Sequence, residues 1–275
     1  MERKLVKQGR NALTVTLPAK WLKVRGLLAG DVVQMAERNK DILVSASVRR
    51  AKSSVVLDLV GENRSTMFHS VLGKYMQGYD LIEVMHDSPK DAQDLVQMCF
   101  GMIIESHTSK RTVLKSVIAV PEEEFETVLR RSAHMLLETA KMLPDVVTGR
   151  KTRKDLIDQE RLLDYNLLFC LRYLNKYSTD EKAYKYFLLC ATLESAGDQL
   201  KDLAKYIGKD KKLAEAVVNG VSDYSSLLFK GDLKRMVRVL RAFRNSMGRR
   251  TFAEGIAYSL AENLYNYVGY VVGEE

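Results

Sequence analysis

Apolar and polar positions follow three successive patterns along the chain. In the first pattern, strand-like alternation occupies residues 3–17 and 32–47, and a short helix is predicted at residues 18–24. In the second pattern, strand-like segments alternate with helix-like ones. After Pro121, apolar residues recur every three to four positions, which predicts six helices arranged as three and three. The chain is therefore predicted to be a multidomain α+β protein with a β-rich domain, a small α+β middle domain and an all-α bundle, at residues 1–50, 51–120 and 121–275.

Positive charge is concentrated at the start of the chain. Residues 1–50 contain 11 Lys and Arg against 4 Asp and Glu, a net charge of +7, whereas residues 51–275 carry only +1. A small domain with this charge is steered toward a polyanion. Because about 47 residues bury too little apolar surface to be stable alone, we also expect this domain to pair with a second copy.

The composition is that of an ordinary globular protein, with 46% hydrophobic and 28% charged residues. No apolar run approaches the roughly 18 residues that span a bilayer, and the first residues lack the apolar stretch of a signal peptide. We therefore expect a cytoplasmic protein without membrane insertion. The three cysteines Cys99, Cys170 and Cys190 lie among apolar residues, which predicts buried free thiols.

Three runs near the N-terminus form an ordered set, namely Lys7-Gln8-Gly9-Arg10, Leu13-Thr14-Val15-Thr16-Leu17-Pro18-Ala19-Lys20-Trp21-Leu22 and Gly26-Leu27-Leu28-Ala29-Gly30-Asp31-Val32-Val33. Pro18 can start a helix, Gly26 can close it with a positive φ, and Gly30 with Asp31 can form the next turn. With this set, residues 3–47 resemble the AbrB/SpoVT family of swapped-hairpin DNA-binding domains. The resemblance implies an intertwined homodimeric β-barrel with a basic face on double-stranded DNA.

Seven cations are available for that basic face: Arg3, Lys4, Lys7, Arg10, Lys20, Lys23 and Arg25. They would act mainly on phosphates, which gives affinity and salt sensitivity without sequence choice. The alternative interpretation is that they are solvated surface cations on a domain that only dimerises.

Two pairs of carboxylates are predicted to lie level on neighbouring antiparallel helices. Glu160 and Asp164 are four residues apart on one predicted helix, and Glu194 and Asp198 are four apart on the next. Each pair lies about the same distance from the turn between the helices. Four carboxylates at one height could share a hard cation, and without a cation they would repel one another.

The helical segment contains a degenerate internal repeat. Its third helix carries Leu193-Glu194-Ser195-Ala196-Gly197-Asp198, and its sixth carries Ala261-Glu262-Asn263-Leu264-Tyr265-Asn266, with Glu194 and Glu262 separated by 68 residues. With this layout and the acidic helix around Glu160, residues 121–275 resemble the PhoU family of phosphate-uptake regulators. The resemblance implies that Glu160, Asp164, Glu194 and Asp198 bind a divalent metal (Fe, Mn, Zn or Mg). The alternative is a solvated acidic flank paired with nearby Lys or Arg.

The predicted helix at residues 230–250 carries eight Lys and Arg and the single acid Asp232. Lys234, Arg238 and Arg241 lie along one of its faces. This face is either simply solvated, or it meets DNA, an acidic partner or phosphate.

A catalytic function is not expected. Of the four histidines His69, His86, His107 and His134, only His86 has Glu-x-x-His spacing, with Glu83, and that pair lies in a strand-like segment outside the predicted bundle. The chain has no Gly-rich phosphate loop and no nucleophile elbow. The first hypothesis is a DNA-binding transcriptional regulator of phosphate uptake that senses phosphate directly or through a transporter partner. The alternative is a cytoplasmic adaptor that modulates a phosphate transporter or a signalling partner, with an N-terminal domain that only dimerises.

Overall fold

The computed structural model describes residues 2–10, 12–38, 41–46, 53–118, 122–177, 182–230 and 232–268. The chain forms two compact units, Met1–Lys52 and Ser53–Glu275. It is a mixed α+β protein with small sheets and a helical C-terminal part, as predicted. The segments predicted as a middle domain and a helical domain belong to the same compact unit, although each has its own hydrophobic core.

The first unit consists of two hairpins with one helix between them. Its elements are β1 (Val6–Gln8), β2 (Ala12–Thr14), α1 (Ala19–Arg25), β3 (Val33–Arg38) and β4 (Asp41–Ala46). Strand β1 pairs only with β2, and β3 only with β4, both antiparallel, so that the described part of this unit contains no closed barrel. Gly26 ends α1 with φ 64°, as its position predicted. The interleaved barrel would require strands of a second chain and stays a prediction.

The second unit begins with a four-stranded sheet covered by helices. Its elements are β5 (Ser54–Asp58), α2 (Arg64–Met76), β6 (Leu81–Met85), α3 (Pro89–Asp94), a 3₁₀ turn (Leu95–Met98), β7 (Met102–His107) and β8 (Arg111–Ser116). The strand order is β5-β6-β8-β7, with β5 parallel to β6 and the other pairs antiparallel. Ile82 and Val84 alternate inward from β6 and pack with Met67, Val71 and Tyr75 of α2.

The remaining helices form the larger core of the second unit. They are α4 (Glu122–Lys141), α5 (Leu143–Thr148), α6 (Arg153–Tyr177), α7 (Lys182–Tyr206), α8 (Lys211–Leu227), α9 (Leu233–Ser246) and α10 (Phe252–Asn266). The short helix α5 lies in a segment that the pattern indicated only as a break; it begins with Pro144 in its first turn and ends at Gly149. Helix α6 packs on α4 and α7, and α7 also packs on α10.

The sheet and the bundle are joined where α6 passes α2. The Arg172 guanidinium donates a hydrogen bond from Nη1 to the Tyr75 carbonyl at 2.7 Å, and Lys176 forms an ion pair with Asp80. Cys99, Cys170 and Cys190 are buried free thiols, as predicted. Among the helices in the described ranges, none has both the length and the apolar character needed to cross a membrane.

Candidate functional site

The four predicted carboxylates lie near one another between α6 and α7. Glu160 is almost completely buried, with 2% of its surface exposed, whereas Glu194 is exposed. Asp164 is close enough to Glu160, Glu194 and Asp198 for all three carboxylates to raise its pKa. The predicted level placement of the two pairs therefore corresponds to a real cluster of acids, the acidic cluster.

A lysine that the sequence analysis did not single out lies within the acidic cluster. The ammonium Nζ of Lys201 donates a hydrogen bond to Glu160 Oε1 at 2.8 Å and a second one to Asp198. Lys201 lies three residues after Asp198 on α7, so the two side chains share a helix face. That spacing was the available sequence signal, but it does not reveal the contact with Glu160 on the other helix.

The acidic cluster changes the protonation of its members. Burial, followed by the charge of Glu160, raises the pKa of Asp164 to about 8, although Lys201 acts in the opposite direction. Although Glu194 as a residue is exposed, partial desolvation of its carboxyl, followed by the charge of Asp198, also raises its pKa. At neutral pH Asp164 is therefore largely protonated, so the cluster carries fewer negative charges than its four acids suggest.

The arrangement fits an ammonium group better than a divalent metal. Lys201 bridges Glu160 and Asp198, where a shared cation would have to bind. Within the ranges that the structure describes, no three His, Cys, Asp or Glu side chains are arranged to hold a metal ion. Pairing with a nearby Lys agrees with the alternative interpretation of these acids, except that Glu160 is buried instead of solvated. The metal stays a prediction.

A glycine allows α6 and α7 to approach at the acidic cluster. A Cβ added to Gly197 would lie 3.1 Å from Leu163 Cδ2 and 3.6 Å from Glu160 Cγ. The small residue thus leaves the space that the stem of Glu160 occupies.

The seven predicted DNA-binding cations all lie on the surface of the first unit. They are Arg3, Lys4, Lys7, Arg10, Lys20, Lys23 and Arg25, and each is exposed. Lys7 lies on β1 opposite Leu13, and Arg10 lies in the turn that follows β1. Lys20 and Lys23 are three residues apart on α1 and share one face. None of the seven forms an ion pair with an acid in the described part of the chain.

The first unit also exposes large apolar side chains. Leu13, Val24, Leu28 and Val32 are between 62% and 79% exposed, and no residue whose burial is described in this unit is buried. Isolated exposed apolar residues are normal, but the residues of this unit whose burial is described form no buried core in the single chain.

His86 and His107 share one hydrogen-bond partner in the sheet. His86 Nε2 and His107 Nδ1 each lie 2.8 Å from Thr112 Oγ1. Burial, followed by the charge of His107, lowers the pKa of His86. Because Thr112 is buried and presents no reactive group to solvent, we assign the trio to the packing of the sheet.

The chain was compared with protein families, curated proteins and solved structures. No protein-family model, no curated protein and no solved structure matches this chain.

Proposed function

We propose that the protein is a DNA-binding regulator of phosphate uptake. In this proposal the first unit dimerises and holds the phosphate backbone of DNA, while the helical bundle senses phosphate status, directly or through a phosphate-transporter component. The observation that carries the proposal is the set of exposed cations on the first unit that no described acid neutralises. Such cations bind DNA phosphates with release of counterions.

Dimerisation is supported by the absence of any buried residue among those of the first unit whose burial is described. Its strands form two separate hairpins, and large apolar side chains such as Leu13, Val24 and Leu28 remain exposed in the single chain. Interleaving with a second copy would bury these side chains and close the two small sheets into one barrel. A dimer would also present about +14 of net charge to DNA, twice the +7 of residues 1–50.

The sensing role of the bundle is supported by its two similar sets of helices. Helices α4, α6 and α7 contact one another, and so do α8, α9 and α10. The corresponding runs beginning at Leu193 and Ala261 lie on the last helix of each set. This arrangement supports a duplicated three-helix unit of the PhoU type. The proposed link to phosphate uptake rests on that resemblance.

The test replaces two exposed cations of the first unit in the full-length protein. We expect Lys7→Ala/Arg10→Ala to weaken binding to a 30-bp duplex and to reduce the slope of log K against log[KCl] by up to about 4, since a dimer loses four cations. Lys209→Ala/Lys211→Ala is the matched control, because these exposed cations lie before and at the start of α8, in the second unit. Unchanged affinity and slope in the Lys7/Arg10 variant would contradict the proposal.

A second candidate function is an adaptor that binds a phosphate-transporter component or a signalling protein. The exposed apolar side chains of the first unit favour it, because they explain a dimerising role without DNA. A protein that sediments as a dimer but does not retard duplex DNA at 50 mM salt would support the adaptor over the regulator.

A further inference from the structure

The second unit has its own concentration of positive charge. Residues 230–250 carry a net charge of +7, from eight Lys and Arg and the single acid Asp232. Since the whole chain carries +8 and residues 1–50 carry +7, residues 51–229 and 251–275 together carry −6. The near neutrality of the second unit is therefore an average over a strongly basic segment and an acidic remainder.

Four of these eight cations lie on the outward face of α9. Met236, Leu240 and Phe243 bury one face of the helix in the bundle core. The basic face is the opposite one: Lys234, Arg235, Arg238 and Arg241, all exposed. Lys234, Arg238 and Arg241 line one shallow open groove with Val237, Ala242 and Asn245.

The nearby acids do not neutralise the basic face. Asp232 accepts a hydrogen bond from the backbone N–H of Arg235 at 2.9 Å and so caps α9. Glu254 accepts hydrogen bonds from the backbone N–H groups of Arg250 and Thr251 and so caps α10. Throughout the described ranges, no acid forms an ion pair with the four cations of the basic face.

A tyrosine orients one end of the basic face. Arg241 Nη2 lies 3.2 Å from the Tyr265 hydroxyl, and the Arg244 guanidinium stacks 4.6 Å from the centre of the same ring. Hydrogen bonding from Arg241 and the positive charge of Arg244 lower the pKa of Tyr265. The arginine at this end is therefore held by a neutral group, which leaves its charge available to a ligand.

The chemistry of the basic face favours a polyanion over a protein or a single phosphate. Protein interfaces have an apolar or aromatic centre from which lysine is depleted, whereas the apolar part of this groove is only Val237 and Ala242. The cations also follow an open helix face instead of converging on one point. Lys234 and Arg241 are seven residues apart, or about 10 Å along the helix axis, a distance over which duplex DNA presents several phosphates.

We propose that the basic face of α9 is a second, sequence-independent contact for the phosphate backbone of duplex DNA. The three arginines can each donate two parallel hydrogen bonds to a phosphate, and Lys234 adds a point charge. The inference does not depend on DNA binding by the first unit.

The experiment compares four full-length proteins. They are the wild type, Lys7→Ala/Arg10→Ala, the α9 variant Lys234→Gln/Arg238→Gln/Arg241→Gln, and the combination of both sets. Glutamine keeps the helix propensity and most of the side-chain length while it removes the charge. We expect the α9 substitutions to reduce the salt slope of binding to a 30-bp duplex by about 3 for each chain that contacts DNA. The reduction should appear with and without the Lys7 and Arg10 substitutions.

A matched control separates the basic face from the overall charge. Lys209→Gln/Lys211→Gln/Lys212→Gln removes three exposed cations before and at the start of α8, and we expect it to leave the slope unchanged. An unchanged slope in the α9 variant, or an equal reduction in the control, would overturn the proposal. The proposal would also be overturned if polyglutamate displaced the labelled duplex from the protein as well as unlabelled DNA does at the same charge concentration. If the α9 substitutions reduce the slope but the Lys7 and Arg10 substitutions do not, the proposed function of the first unit fails and this inference stands.

Discussion

The ammonium group of Lys201 lies 2.8 Å from Oε1 of Glu160, which joins α7 to α6 at a carboxylate with almost no exposure to water. Removing a carboxylate from water is costly unless a counter-charge and hydrogen bonds compensate it. Lys201 supplies both, and its own pKa is raised by its hydrogen bonds with Asp198 and Glu160 in spite of burial. The pair therefore fixes how the two longest helices of the bundle meet.

Loss of Lys201 alone should be more harmful than loss of the pair. We expect Lys201→Met to lower the free energy of unfolding by about 3 kcal/mol, because Glu160 is left buried without its counter-charge. Glu160→Gln/Lys201→Met should recover most of that loss, since no charge remains buried. Urea unfolding followed by circular dichroism measures both values. Equal losses in the single and the double variant would mean that the ion pair is not what stabilises this contact.

Stability should fall as the pH rises through the titration of Asp164. The unfolded carboxyl has a pKa of about 3.9, and the folded one has a pKa of about 8. Between these values the folded chain holds a proton that the unfolded chain has lost, so raising the pH favours unfolding. We expect the free energy of unfolding of Asp164→Asn, measured relative to that of the wild type, to rise by on the order of 2 kcal/mol between pH 5 and pH 8. Asp158→Asn, an exposed carboxylate on the same helix, is the control and should give no such trend.

A divalent cation should stabilise the protein only after Lys201 is removed. In the wild type a cation would have to displace the ammonium group that already bridges Glu160 and Asp198. We expect 1 mM Mn²⁺ to leave the wild-type Tm unchanged and to raise the Tm of Lys201→Met, because ligand binding to the folded state alone stabilises it. A Tm increase in the wild type that EDTA reverses would restore the predicted metal site.

The sequence was informative where the signal was local. Glu160 and Asp164, like Glu194 and Asp198, are i, i+4 pairs. Because each pair lies about the same distance from the turn between the two helices, the sequence predicted that the pairs would lie close together. The contact between Lys201 and Glu160 was not predictable in this way, because it depends on the rotation of α7 against α6.

The basic face was visible in the sequence only at the level of one helix. The net charge of +1 for residues 51–275 hides it, whereas the eight Lys and Arg of residues 230–250 predicted Lys234, Arg238 and Arg241 along one face. The break predicted at residues 144–149 contains helix α5, because proline is common in the first turn of a helix and glycine just after the last. The exposure of Leu28 and Val32 could not be inferred at all, because it depends on whether a second chain is present.

Glycine at position 220 should be required for the contact between α8 and α9. A Cβ added there would lie less than 3 Å from three atoms of the Phe243 ring, which is itself packed in the core. We expect Gly220→Ala to destabilise the protein by about 1–3 kcal/mol, as overpacking does. Gly255→Ala in α10 is the control, because a Cβ there meets nothing within 4 Å. It should stabilise the protein by about 0.5–1 kcal/mol through helix propensity, and thermal unfolding would reveal the opposite signs.

The ion pair between Asp80 and Lys176 should make the attachment of α6 to the sheet sensitive to acid. Burial by itself raises the pKa of Asp80, but the hydrogen bonds from Lys176 and from the Ser53 backbone N–H outweigh it, so that the pKa is lowered overall. A carboxyl with a lowered folded pKa stabilises the protein above its unfolded pKa, and this stabilisation is lost as the pH falls through the folded value.

We expect Asp80→Asn to lower the free energy of unfolding by about 2 kcal/mol at pH 7, since the partly buried ion pair between Asp80 and Lys176 is lost. The difference from the wild type should shrink below about pH 4, where the wild-type carboxyl is protonated as well. Asp58→Asn is the control, because Asp58 is exposed and, within the described ranges, accepts a hydrogen bond from the Val60 backbone N–H and forms no ion pair. A loss in Asp80→Asn that is the same at pH 3 and pH 7 would mean that the carboxyl acts through its shape and hydrogen bonds instead of its charge.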